Sequence, residues 1–163
     1  MVAGWNDAIS SAIWFGTSGS TSLPPEVLAH RLPAVADAMG LGSEYLDFID
    51  VLPLRGLGID LLKLKPFIKS IEPARYALVI LDAWYRFLPL GFSENDNAQV
   101  MALYNTIDSY TSALKAAWVN IHHASKGDQS GKSTTDVGAG AGSQSRAADT
   151  HLISASTNRR TQR

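Results

Sequence analysis

Two apolar runs in this chain end in side chains that can do chemistry. Tyr76–Phe87, YALVILDAWYRF, meets a carboxylate at Asp82, and a later run meets two imidazoles, His122 and His123, within NIHHASKG. A strand buried in a parallel sheet is a continuous hydrophobic run, and ligands of open α/β sheets lie beyond the carboxyl ends of such strands. Both polar ends are therefore expected to face one crevice. A carboxylate holds a hard cation such as Mg²⁺, commonly through water, and an imidazole can touch a phosphate, so together they read as parts of a nucleotide site. Taken singly, an Asp at a strand end is more often a polar terminus and a His there a surface group.

Other chemistries fit these residues less well. Neighbours on a strand point to opposite faces, so His122 and His123 cannot converge on one ion without a bend, and the chain has neither a His-x-x-x-His helix nor any cysteine to complete a zinc set. Ser125, Ser133 and Ser143 could pair with a histidine as nucleophiles, but no G-x-S-x-G elbow surrounds them. The P-loop pattern G-x-x-x-x-G-K-[ST] is also absent from the sequence. Its nearest imitation, FGTSGSTS at 15–22, has glycines and hydroxyls without the lysine and reads as linker. Lys126, Lys132 and Arg146 put positive charge around the loop 124–142, where Asp128 and Asp136 offset it. Beside a nucleotide these cations would bind phosphate in cis or on a neighbouring subunit, and in a channel they would contact a nucleic-acid backbone.

The elements that must position these groups follow from periodicity. Residues 1–23 contain Trp5 and Trp14 and then turn small and polar, which predicts a leader or linker. From 24 onward Val27, Leu28, Leu32, Val35 and Met39 recur near helical spacing, with a kink or break expected at Pro33 and a stop at Gly40 and Gly42. Phe48–Leu52 reads as a short buried strand, 59–71 as a helix interrupted by Pro66, and Ala77–Leu81 as the strongest strand. Ser93, three residues before Asp96, is expected to cap a helix carrying Leu103, Ile107, Tyr110, Leu114 and Ala117. Trp118–Ile121 forms the strand that delivers the histidines, and a last strand is expected near 150–154. Strands alternating with helices imply a parallel sheet with right-handed crossovers.

Composition sets outer limits. A length of 163 residues with 45% apolar side chains suits one domain with a real core, and a formal net charge of -1 leaves no global basic field. The absence of cysteine excludes disulfides and thiol chemistry, and no apolar run reaches membrane-span length. The expectation is a soluble, cytoplasmic protein with no membrane partner.

At these residues the chain resembles the RecA-like P-loop ATPases of the plasmid RepA-type hexameric helicase group, an AAA-family ATPase type. The resemblance covers roughly 30–154 and rests on YALVILDAWYRF as a Walker B strand, SENDNAQVMALYNTIDSY as the following helix, NIHHASKG as the γ-phosphate-sensing strand end, and GAGSQSRAADTHL leading to a further strand. It implies that Asp82 is the Walker B carboxylate orienting Mg²⁺, that His122 and His123 hold the sensor position, that Lys126 touches nucleotide, and that Arg146 is the trans-acting arginine. It also implies ATP and Mg²⁺ as ligands, a homo-oligomer, and single-stranded nucleic acid contacted through 124–142.

The expected fold is thus α/β, a partial RecA-like parallel sheet flanked by helices and missing the P-loop strand. Its organisation is a leader 1–23, a partial ATPase core 24–155 and a disordered basic tail 156–163. No glutamate in this chain can be assigned to the catalytic-base position of the family. The implied function is ATP hydrolysis coupled to nucleic-acid remodelling in a helicase or repair protein, from an N-terminally truncated chain with little turnover alone. The alternatives are a noncatalytic oligomerisation module and a gene fragment without activity.

Overall fold

The computed structural model describes residues 11–16, 25–54, 56–122, 147–150 and 152. Its elements are β1 (Ser11–Gly16), α1 (Pro25–Ala38), β2 (Ile49–Pro53), α2 (Lys65–Ser70), β3 (Tyr76–Asp82), α3 (Asn97–Leu114) and β4 (Ala117–Ile121), with 3₁₀ turns at Ser43–Phe48, Leu62–Leu64 and Trp84–Arg86. The strands form one parallel sheet in the order β2-β1-β3-β4, so an α/β fold with a helix-flanked parallel sheet is present.

The largest correction concerns β1. The leader expected over 1–23 contains an interior strand, SAIWFG, hydrogen-bonded on both sides. Ala12–Phe15 is a short unbroken apolar run, which is how a strand buried in a parallel sheet looks; the polar stretch after Gly16 gives the whole segment the look of a linker. Alternation within the strands sorts the two faces. Ile13 and Phe15 of β1 join Val79 and Leu81 of β3 in a buried cluster with Ile68 of α2 and Leu103, Ile107, Tyr110 and Leu114 of α3. The α3 contribution recurs at alternating intervals of four and three residues, the stripe expected of a helix covering a sheet.

The connection from β1 to β2 runs one way along the sheet, and those from β2 to β3 and β3 to β4 run the other. With right-handed crossovers this puts α1 on the face opposite α2 and α3. Accordingly, Leu28 and Ala36 of α1 are buried but contribute nothing to the α2–α3 cluster. The other residues expected on the apolar stripe of α1 are less covered: Val27, Val35 and Met39 are exposed and Leu32 is half-buried.

Two proline expectations also change. α1 continues through Pro33, at the cost of one intrahelical donor on a mostly exposed helix, and Pro66 lies in the first turn of α2, where its missing N–H has no intrahelical partner to lose. What reads as one helix over 59–71 is therefore a 3₁₀ turn followed by a short α-helix. At the amino ends of the strands, the Tyr76 hydroxyl donates to Asp50 Oδ2 at 2.6 Å, tying β3 to β2 across β1. Burial, then the Asp50 carboxylate, pushes the Tyr76 pKa up, so this hydroxyl keeps its proton.

Phe15 is fully buried and meets Phe67 edge-on, with ring centroids 5.7 Å apart. Phe15→Ala is expected to cost about 3–5 kcal/mol of unfolding free energy, measured by urea denaturation. An unchanged midpoint would return residues 11–16 to leader status.

Candidate functional site

The carboxyl ends of the strands share one rim. Gly16 of β1 is in register with Asp82 of β3, which is in register with Ile121 of β4, so the last residues of these strands lie side by side. The chain leaves β1 toward one face and β3 toward the other, which makes the junction between them a topological switch point, where open α/β sheets bind ligands. Asp82 is the residue of β3 that stands there. Its side chain is only 4% exposed, and it is the one charged residue among the buried positions described.

The segment just beyond Asp82 is anchored rather than loose. Ala83 and Trp84 are buried, and Phe87 is fully enclosed; the Asp82–Ala83 peptide is cis. Trp84 leans on Tyr104 of α3, with ring centroids 5.6 Å apart. The Leu61 N–H donates to the Phe87 carbonyl at 2.8 Å, and the Tyr110 hydroxyl donates to the Leu61 carbonyl at 3.1 Å. Burial, reinforced by the Asp60 carboxylate, pushes the Tyr110 pKa up and keeps that donor protonated. The sheet side of α3 thereby holds the segment that carries Asp82 into the rim.

His122 is the first residue beyond β4, one position past the register partner of Asp82. The sequence expectation that an acidic and an imidazole strand end lie on adjacent strands is met for this residue. β4 is braced against α3: Trp118 packs on Tyr110 with ring centroids 6.1 Å apart, and its indole N–H donates to Asn120 Oδ1 at 2.9 Å. His123, Lys126 and Arg146 lie outside the described residues, as does the loop 124–142, and the strand expected near 150–154 falls mostly outside them too.

The residue that faces His122 is Glu94, to which the sequence pattern assigns no role. Its Oε1 stands 3.5 Å from His122 Nε2, with both side chains half-buried and the two facing atoms buried. Neither atom has a hydrogen-bond partner among the described residues, so the two meet at ion-pair distance without hydrogen-bond geometry. Glu94 occupies the turn before α3, and that turn is closed from several directions. Asp96, rather than the expected Ser93, is the N-cap, accepting from the Ala98 and Gln99 N–H groups. Gln99 donates its amide to Asp96 Oδ2 at 2.9 Å and accepts the Ser93 N–H at 3.0 Å. Ser93 instead closes the turn before the helix, its carbonyl accepting the Asp96 N–H at 3.1 Å. The signal for Glu94 is the acidic-amide run SENDN itself, whose reach to β4 depends on the tertiary fold.

Mg²⁺ usually binds one or two carboxylates and keeps several waters, so a single buried carboxylate at the rim suits it. Among the described residues no group of three or more His, Asp or Glu side chains forms a metal cage, which leaves a tightly ligated transition metal without a ligand set there. No helix among them is long and apolar enough to cross a membrane. No family model matches the chain, and no curated protein matches it either.

Hydrogen bonding, first from the Gln99 N–H, holds the Asp96 carboxylate below its ordinary value of 3.8. A depressed carboxylate stabilises the fold fully above the unfolded value and loses that contribution as pH falls through the folded one. Asp96→Ala should therefore lower the melting temperature at neutral pH, with the gap to wild type closing below about pH 4. Thermal melts across pH measure this; a gap independent of pH would mean that the carboxylate charge is not what caps α3.

Proposed function

We propose that the rim binds ATP–Mg²⁺ and that the chain is a RecA-like ATPase core of the helicase or DNA-repair type. The single observation that carries this reading is the buried Asp82 at a switch-point strand end with His122 at the tip of the adjacent parallel strand. Bound Mg²⁺ would supply charge neutralisation between the nucleotide's phosphates, and Asp82 would hold it through water. The strand end that carries Asp82 is held in place by the buried Ala83, Trp84 and Phe87 just beyond it. His122 would offer a ring N–H to the terminal phosphate and pass its occupancy to the adjoining loop 124–142, which would contact single-stranded nucleic acid. In this reading Lys126 and His123 add contacts to the phosphates, and Arg146 reaches the site of a neighbouring copy in a homo-oligomer. With no P-loop lysine in the sequence, turnover by the isolated chain should be low.

A second reading, a noncatalytic oligomerisation module, draws on the open side of the sheet. β4 has no partner on its outer edge among the described residues, and Val119 there is 42% exposed. An unpaired edge is a template for association.

Calorimetric titration with ATP–Mg²⁺ separates the two. Micromolar to millimolar binding is expected, lost on chelation of Mg²⁺ and weakened at least ~10-fold by Asp82→Asn with an unchanged circular dichroism spectrum. Equal binding by wild type and variant would remove Asp82 from the site. An absence of binding together with a defined oligomer would favour the second reading.

A further inference from the structure

Glu94 and His122 present a question of proton placement. A carboxylate has acceptors only, so the imidazole nitrogen that faces it must carry the proton; otherwise two lone pairs would oppose each other in an enclosed space. His122 Nε2 faces Glu94 Oε1 at 3.5 Å, and neither atom has a hydrogen-bond partner among the described residues. The backbone that carries Glu94 is fixed, because the Ser93–Asp96 turn is closed by Gln99 on one side and by the Asp96 N-cap on the other.

We infer that Glu94 is a positioning residue that holds the Nε2 side of His122 against its carboxylate by charge, leaving Nδ1 as the nitrogen presented to an anionic ligand at the rim. This inference rests on the ATP–Mg²⁺ reading for the identity of the ligand, but not for the proton placement. Phosphate oxygens are acceptors, so a phosphate bound at Nδ1 requires that nitrogen to carry a proton as well. Ligand contact at Nδ1 and the carboxylate contact at Nε2 then use the two ring protons at once. Glu94 reaches no phosphate in this arrangement and acts only through the ring. It also links the β3–α3 turn to the β4 tip, the two segments that come after the strands ending at Asp82 and Ile121.

Two measurements on the full chain decide it. In proton NMR, with the His122 signals assigned from their loss in His122→Gln, wild type should show an Nε2 proton protected from exchange with water. That protection should vanish in Glu94→Ala and survive, weakened, in the isosteric Glu94→Gln. The same exchange rate in wild type and both variants would overturn the inference, whatever the outcome with nucleotide. In ATP–Mg²⁺ titrations, Glu94→Gln should weaken binding about 3–10-fold in the wild-type background and have no further effect on His122→Gln. An equal loss in both backgrounds would show Glu94 acting on the ligand independently of His122. Failure of ATP to bind wild type would count against the nucleotide reading alone, with the exchange measurement still deciding the placement of His122.

Discussion

A charged side chain buried at the end of an interior strand constrains everything around it. Removing a carboxylate from water costs several kcal/mol unless partners or a cation compensate, so Asp82 at 4% exposure needs a fixed environment. That environment comes from parallel pairing on both sides, which aligns Gly16, Asp82 and Ile121, and from the buried Ala83 and Trp84 immediately after it. Parallel strands bring all their carboxyl ends to one rim, so the position of one buried acid also sets where its neighbours' tips must lie.

Rigidity at this rim is supplied mainly by α3. One face of that helix covers the sheet through Leu103, Ile107 and Leu114, while its aromatic residues reach both flanking segments. Tyr104 supports Trp84 beyond β3, and Tyr110 supports Trp118 on β4 while donating to the Leu61 carbonyl. The start of the same helix is capped by Asp96 and tied back by Gln99, which fixes the turn holding Glu94. Core packing and rim geometry are thus two consequences of one helix, and a loss of packing at α3 would move Asp82, Glu94 and His122 together.

The opposite face of the sheet is less well covered by the described residues. Trp14, Leu78 and Ile80 are only half-buried there, and α1 contributes just Leu28 and Ala36 to the buried residues. A parallel sheet is normally covered on both faces, so the half-buried residues beside β3 and β4 and the outer edge of β4, unpaired among the described residues, are where association with more polypeptide would bury apolar surface.

Local pattern was enough for β3, α3 and β4, because a long apolar run and a regular helical stripe each have one way to bury themselves. It also placed Asp82 and His122 at strand ends, since polarity changes sharply at those two positions. It missed β1, whose four apolar residues are too short a signal beside the polar stretch after them, and with β1 it missed the switch point beside Asp82. It put the cap at Ser93, because a hydroxyl three residues before an acid imitates a capping box, whereas the observed bonds depend on where the turn closes. Sequence by itself determined the α/β class, the parallel sheet and the chemical character of the strand ends, for these follow from the order and periodicity of apolar residues. Only the tertiary structure decided that β1 lies inside the sheet, that Asp82 is buried beside it and that Glu94 meets His122. Those are contacts between segments far apart in the chain, set by strand order and packing that no local window of residues encodes.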